Sequence, residues 1–218
     1  MAEKKEDGLF SRVWTVPNVL TFIRILLVPL FAYLFINATK DNNYIIYSVI
    51  ILVFSGLTDF LDGKIARRFN QISPLGKILD PVADKLTQIT IAVILLVKFR
   101  ACEDSTMRAF GWVFLVFLIK EGIMVVGGAV MLMLGIRPGA AEIYGKVATF
   151  VFYGVMIIII AFGPEVGAVT MYKPELVLPD ILTIILVIIS AILTIVAFLS
   201  YMPATFKQFK ERFSGKNE

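Results

Sequence analysis

The chain has 218 residues and a formal net charge of +4, from 21 Lys and Arg against 17 Asp and Glu. Hydrophobic residues make up 58% of it, against about 45–50% in a typical soluble domain, which indicates a membrane protein. There is no His, and Cys102 is the only Cys, so imidazole catalysis, an internal disulfide and a thiolate metal cluster are excluded. Any chemistry must use carboxylates, Lys, Arg, hydroxyl groups or the backbone.

The apolar residues come in long blocks, which favours helices over the alternating strands of a β-barrel. At about 20 residues per crossing, the pattern predicts an all-α integral membrane protein with six transmembrane helices. We place them at residues 18–36, 44–61, 82–97, 110–134, 144–162 and 180–201. No repeat or long linker interrupts the chain, so residues 1–218 are expected to form one membrane domain.

Two flanking segments are predicted to lie as short amphipathic helices in the headgroup layer, residues 8–16 and the basic tail 203–218. In the tail, Phe206, Phe209 and Phe213 form a stripe opposite basic residues; a frayed basic tail is the alternative. The first ten residues lack the layout of a signal peptide, so the first span is expected to stay in the mature fold.

Most Lys and Arg residues outside the spans fall in segments that share a side with the two termini. The positive-inside rule therefore predicts a multi-pass protein of the inner (cytoplasmic) membrane with both termini in the cytoplasm. Arg24, Lys85 and Lys120 fall inside predicted spans. A cation there is costly and usually has a function or a partner, although Arg24 could instead snorkel to the interface.

Four aspartates within 26 residues are the most informative feature: Asp59, Asp62, Asp80 and Asp84. On helices, the first two and the last two would each share a face. Such like charges at a membrane boundary are unfavourable unless a cation neutralises them. Oxygen ligands without His or Cys select Mg²⁺, Mn²⁺ or Ca²⁺, and two such ions can hold a pyrophosphate. The cluster therefore indicates phosphoryl-group chemistry on divalent metals.

Structural alternatives exist for individual members of this cluster. Asp80 followed by Pro81 is a good helix N-cap, and Asp62 followed by Gly63 could be a plain turn at a helix end. An intramembrane cation path in a transporter or channel would also explain the acids. It would not explain the small and basic residues beside them, or their place at the cytoplasmic ends of two helices.

The spacing of the whole segment resembles the signature of the CDP-alcohol phosphatidyltransferases. Eight fixed positions match: Asp59, Asp62, Gly63, Ala66, Arg67, Gly76, Asp80 and Asp84. The resemblance implies transfer of a phosphatidyl group from CDP-diacylglycerol to an alcohol, with release of CMP. It also implies an active site on the cytoplasmic side of the membrane and a homodimer, without a nucleic-acid partner.

The resemblance also implies a role for each matching position. Asp59, Asp62 and Asp80 would hold two divalent cations, Mg²⁺ or Mn²⁺, with Asp84 as a further candidate ligand. Asp84 would be the general base that takes the proton of the acceptor hydroxyl. The CDP-diacylglycerol-binding positions would be Gly63, Ala66, Arg67 and Gly76.

The acceptor alcohol is narrowed to the glycerol type, because residues 16–24 resemble the first helix of bacterial phosphatidylglycerophosphate synthases and CDP-diacylglycerol-dependent cardiolipin synthases. Glycerol 3-phosphate is favoured over phosphatidylglycerol, since a second phosphate needs fixed cations. Candidates are Lys120, Arg137 and Lys146. Lys120 and Glu121 could instead be an ion pair that fixes helix packing, and Ala148-Thr149 after Lys146 leans toward the cardiolipin type. The inositol-phosphate and serine branches fit less well.

Overall fold

A computed structural model describes residues 14–68, 73, 75–136 and 143–214, with the backbone alone at 59–67, 77, 132 and 211–213. These residues form helices and connecting turns, and no strand occurs among them. The chain divides into two units, residues 1–94 and 95–218, which are described in turn. The boundary falls within the third helix.

Seven α-helices and two short 3₁₀ turns make up the described chain. The helices are α1 (Val16–Ile36), α2 (Tyr44–Arg68), α3 (Gly76–Arg100), α4 (Ser105–Phe110), α5 (Phe114–Met133), α6 (Ile143–Phe162) and α7 (Asp180–Phe213). One 3₁₀ turn, Gly111–Val113, joins α4 to α5, and the other, Pro174–Leu176, precedes α7.

In the first unit, α1 begins where Thr15 caps it, accepting a hydrogen bond from the Asn18 amide at 3.4 Å. Pro17 sits in the first turn, where its missing N–H costs nothing. Helix α1 then packs along α2. A small apolar cavity lies where α1, α2 and α3 meet, lined among others by Phe31, Leu52 and Thr87. The polar N-terminal turns of α1 and α3 do not line this cavity.

The second unit has an aromatic core. Phe99 at the end of α3 stacks on Phe114 of α5, with ring centroids 5.5 Å apart. Phe117 follows on α5, 5.3 Å from Phe152 of α6. These four rings are almost completely buried. Each buries a large apolar area, so together they hold the last residues of α3, from Leu95 on, against α5 and α6.

Four helical segments are long and apolar enough to cross a membrane: Val16–Ile36, Ser105–Met131, Ile143–Phe162 and Asp180–Lys210. They correspond to four of the six predicted crossings, and they make the chain a multi-pass membrane protein. The other two predicted crossings are helical, as α2 and α3, but neither is apolar over enough of its length. The apolar part of α2 is Tyr44–Thr58, because the signature acids and cations follow it, and the first turns of α3 are charged as well.

Two expectations from sequence are corrected, and a third lies largely outside the described residues. Asp62 and Gly63 do not form a turn, because α2 continues through them to Arg68. The C-terminal flank is not a separate helix, since Pro203 lies inside α7, which runs on to Phe213; the helix-favouring residues around the proline outweigh the one hydrogen bond that it forfeits. Of the N-terminal flank, residues 8–13 lie outside the described part, and Val16 already begins α1.

Candidate active site

Helix α2 carries the first half of the signature. Asp59 and Asp62 lie three residues apart within it, as do Gly63 and Ala66 one turn on. Residues at this spacing share one side of a helix. The backbone therefore places these positions on one helix, as predicted. The side chains of residues 59–67 lie outside the described atoms.

Helix α3 carries the second half. It begins at Gly76, so Asp80 lies a full turn inside the helix, and the alternative in which Asp80 caps it is wrong. Ser73 caps this end of α3 instead, because its hydroxyl oxygen accepts a hydrogen bond from the Gly76 amide at 2.8 Å. Asp80 and Asp84 are both half-buried and are four residues apart on one face of α3.

Asp80 is held by a residue of α1. The Thr21 hydroxyl donates to Asp80 Oδ1 at 2.8 Å, and Thr21 is completely buried. A hydrogen bond to an ionised acceptor is stronger than a neutral one. This contact therefore fixes the orientation of the Asp80 carboxylate from a neighbouring helix.

Asp84 belongs to a short polar chain along α3. The Gln88 amide group donates to Asp84 Oδ2 at 3.3 Å, and Lys85 donates from Nζ to Gln88 Oε1 at 3.5 Å. Gln88 is buried, so its amide is firmly placed. Lys85, one of the three cations expected inside spans, is thereby linked through Gln88 to Asp84, the carboxylate expected from sequence to be the general base.

Gly76 is placed for helix contact. A Cβ at this position would lie 2.6 Å from Asn18 Oδ1 and 3.0 Å from Ser73 Oγ. The Ser73 hydroxyl in turn donates to Asn18 Oδ1 at 2.9 Å. The space beside Gly76 is thus filled by the side chain of α1, which gives this signature glycine a packing reason in addition to the predicted one of leaving room for CDP-diacylglycerol.

The fit of a hard divalent cation rests on the donor set. Asp80 and Asp84 offer carboxylate oxygens on one face, and no His or thiolate is near them, which suits Mg²⁺ or Mn²⁺. Among the side chains that the structure describes, no three acidic, His or Cys groups gather as a complete metal site. Asp59 and Asp62 lie outside that set, so the pair on α3 is the described half of the candidate site.

The three candidate cations for an acceptor phosphate belong to the second unit. Lys120 forms an ion pair with its neighbour Glu121 on α5, which is the arrangement of the packing alternative. Lys146 is exposed near the start of α6, next to Gly145, whose position leaves space for the Tyr201 hydroxyl of α7. Arg137 lies outside the described residues.

Sequence reasoning did not connect α1 to the site. Asn18, Thr21 and Arg24 recur every three residues in an otherwise apolar helix, and all three are buried. Arg24 is only 2% exposed, so it does not snorkel to the surface. This spacing was the available signal for a polar face on α1; only the fold identifies Asp80 and Ser73 as what that face contacts.

Comparison with known proteins points to the same family as the signature does. The profile of the CDP-alcohol phosphatidyltransferase family matches residues 14–196. A CDP-diacylglycerol--glycerol-3-phosphate 3-phosphatidyltransferase of Aquifex aeolicus is 34% identical over 197 residues, which cover 90% of this chain and 99% of that protein. One of the same name from Rickettsia felis is 30% identical, over 88% of this chain and 96% of its own length.

A cardiolipin synthase (CMP-forming) of Streptomyces coelicolor is 35% identical over 144 residues, or 64% of this chain. The aligned part spans 62% of that protein. The family match takes in α1, both halves of the signature and the first half of α7. It therefore confirms the resemblance read from the eight signature positions, and the chain belongs to the CDP-alcohol phosphatidyltransferase family.

Proposed function

We propose that this protein transfers the phosphatidyl group of CDP-diacylglycerol to glycerol 3-phosphate, forming phosphatidylglycerophosphate and CMP. The observation that carries the proposal is the complete signature, whose last two acids share one face of α3 and are each held by a hydrogen bond. The relatives that align over nearly their whole length bear the name of this activity.

Two divalent cations, Mg²⁺ or Mn²⁺, complete the proposed site. Asp59, Asp62 and Asp80 would hold them, with Asp84 beside them as a further ligand. When bound, such ions neutralise the pyrophosphate and stabilise charge on the entering and leaving oxygens. The all-oxygen donor set and the half-buried carboxylates support this assignment, because buried like charges are unfavourable without a cation.

In the proposed reaction, the acceptor hydroxyl oxygen attacks the phosphorus that bears the diacylglycerol. The bond from that phosphorus to the bridging oxygen breaks, and CMP leaves with the electron pair. Asp84 takes the hydroxyl proton as the new bond forms, which requires its carboxylate within hydrogen-bond reach of the acceptor. Gln88 supports this role by holding Oδ2 at 3.3 Å, so that Asp84 keeps one orientation.

The donor would be bound at the first half of the signature, with Gly63 and Ala66 leaving room for the nucleotide and Arg67 contacting a phosphate. For the acceptor phosphate, Lys146 and Arg137 are the better candidates. Lys120 already pairs with Glu121, which lowers its net attraction for an anion.

A second candidate function is cardiolipin synthesis from phosphatidylglycerol. Two observations favour it: the similarity to the Streptomyces coelicolor cardiolipin synthase, and the Ala148-Thr149 pair that follows Lys146 on α6. Phosphatidylglycerol carries a single charge on a phosphodiester, so it would depend less on Lys146 than glycerol 3-phosphate does.

The proposed setting is the cytoplasmic membrane, with both termini and the active site on the cytoplasmic side and two copies of the chain forming a homodimer. The excess of basic residues on that side supports the orientation. Glycerol 3-phosphate is a soluble phosphorylated metabolite, so a site that opens to the cytoplasm is consistent with its use.

The proposal is tested with purified protein in detergent, CDP-diacylglycerol and Mg²⁺ or Mn²⁺. Glycerol 3-phosphate and phosphatidylglycerol are supplied in parallel, CMP release is measured, and the lipid products are separated by thin-layer chromatography. We expect phosphatidylglycerophosphate from the first acceptor. Formation of cardiolipin alone would favour the second candidate function. Absence of CMP release with both acceptors would contradict both candidate functions.

A further inference from the structure

A buried polar face of α1 is directed at the start of α3. Asn18 and Thr21 lie one turn apart and are 1% and 0% exposed, within a helix whose other residues are mostly apolar. Buried polar side chains need hydrogen-bond partners. Both have theirs at the N-terminal end of α3, on Ser73 and Asp80.

The Thr21 hydroxyl has one proton and two acceptors within reach, Asp80 Oδ1 at 2.8 Å and Pro17 O at 3.0 Å. In an α-helix, the carbonyl of residue 17 already accepts the amide hydrogen of residue 21. The Asp80 carboxylate is charged and is the stronger acceptor. The hydroxyl therefore donates to Asp80.

A second contact fixes the helix that carries Asp80. The Gly76 amide donates to Ser73 Oγ at 2.8 Å, and the Ser73 hydroxyl donates to Asn18 Oδ1 at 2.9 Å. The glycine at position 76 lets α3 approach α1 closely enough for these two hydrogen bonds, because a Cβ there would meet the Asn18 amide oxygen. Asp80 follows about one helical turn later, so residues of α1 contact both the start of α3 and the Asp80 carboxylate.

We infer that Thr21 is a positioning residue for Asp80, orienting its carboxylate so that it meets a divalent cation in one defined geometry. The inference rests on the proposed function, in which Asp80 is a metal ligand. Hydrogen-bonding partners of metal ligands typically contribute about 10–100-fold to metal affinity or activity. Thr21 would thus tune cation binding without contacting the cation.

The test compares Mn²⁺ binding to the full-length protein in detergent, measured by the electron paramagnetic resonance signal of free Mn²⁺. Thr21→Val removes the hydroxyl at nearly constant volume, and Thr21→Ser keeps it. Thr87→Val is the matched control: Thr87 is also buried, and its hydroxyl bonds only to Ala83 O, at 2.9 Å, among the bonds described. We expect Thr21→Val to raise the Kd for Mn²⁺ about tenfold, and the other two variants to stay near wild type.

Turnover at low and high Mn²⁺, together with the melting temperature, distinguishes a positioning role from a merely structural one. Positioning predicts that Thr21→Val loses turnover at low Mn²⁺ and regains most of it at high Mn²⁺, with a melting temperature like that of Thr87→Val. Should Thr21→Val fail to fold, Thr21→Ala supplies the same comparison with a smaller side chain.

Asp80→Asn distinguishes an error in the role of Thr21 from an error in the proposed metal site. If it weakens Mn²⁺ binding while Thr21→Val binds like wild type, the positioning role is wrong and the proposed metal site stands. If Thr21→Ser is as impaired as Thr21→Val, the hydroxyl is not the cause and the inference is again overturned. If Asp80→Asn binds Mn²⁺ as wild type does, Asp80 is not a ligand, and both the inference and that part of the proposed function are overturned.

Discussion

At the scale of single residues, the two acids on α3 differ in the hydrogen bonds that hold them. Asp80 is oriented by a hydroxyl from another helix, whereas Asp84 is oriented by Gln88 of its own helix. The first arrangement ties a carboxylate to the fold, which suits a metal ligand. The second places the Asp84 carboxylate beside a buried amide of its own helix, which is compatible with the proton transfer proposed for it.

Asp84→Asn should abolish turnover while leaving CDP-diacylglycerol binding largely intact, because an amide of the same shape cannot accept the acceptor proton at neutral pH. We expect a loss of at least about a hundredfold in kcat, within the range for a general base, with little change in nucleotide affinity by calorimetry. Asp41→Asn, in an exposed turn before α2, is the control and should behave like wild type. Undiminished turnover of Asp84→Asn would remove the base assignment.

Cys102 is expected to be unreactive in the native protein. Burial, and next the negative charge of Glu165, raises the pKa of its thiol to about 11, and the residue is 4% exposed. Since a raised pKa keeps the thiol protonated at neutral pH, the thiolate fraction falls by about a hundredfold relative to an ordinary Cys. Alkylation by iodoacetamide at pH 7.5, followed by mass spectrometry, should be slow in mild detergent and fast in sodium dodecyl sulfate; equal rates would contradict the burial.

At the scale of helices, the junction of α1 with α3 depends on a glycine. Helix α3 starts at Gly76, and the bonds through Ser73 and Asn18 hold that start in place. A methyl group there would lie 2.6 Å from Asn18 Oδ1, so the Asn18 side chain would have to shift from its bond with Ser73. The glycine therefore stabilises this junction independently of any substrate.

Gly76→Ala should lower the free energy of unfolding by about 1–3 kcal/mol, the usual effect of overpacking a buried contact. The measurement is thermal unfolding in detergent without substrate. Gly127→Ala on α5 is the control, because a Cβ there meets nothing within 4 Å, and it should not lose stability. An unchanged melting temperature with weaker CDP-diacylglycerol binding would instead make Gly76 a substrate-cradling residue.

At the scale of the whole molecule, the number of crossings is the open prediction. Four segments qualify by length and composition, and six crossings with cytoplasmic termini would need α2 and α3 to span as well. Charges at the signature end of both helices shorten their apolar parts. Their apolar remainders place the signature at one membrane boundary if both helices do cross.

Labelling with a membrane-impermeant maleimide tests that topology, with the slow native Cys102 as background. Asp41→Cys lies between α1 and α2, and Ser214→Cys follows α7. With cytoplasmic termini, intact cells should label Asp41→Cys, while Ser214→Cys should label only after the membrane is opened. Arg68→Cys, exposed at the end of α2, decides the number of crossings: it should label only after opening if α2 and α3 cross, and from outside if they do not. Labelling of Ser214→Cys from outside would reverse the proposed orientation.

The sequence alone determined the membrane class, the helical fold and the family, because apolar blocks and a fixed spacing of acids are local properties of the chain. It also predicted where most helices lie, since length and hydropathy decide that. It could not decide between cap and interior for Asp80, because the start of α3 depends on Ser73, which the tertiary contact with Asn18 stabilises. Only the tertiary structure brought Thr21 to Asp80, 59 residues apart in sequence, because a hydrogen bond between helices depends on how they pack and not on the pattern within either one.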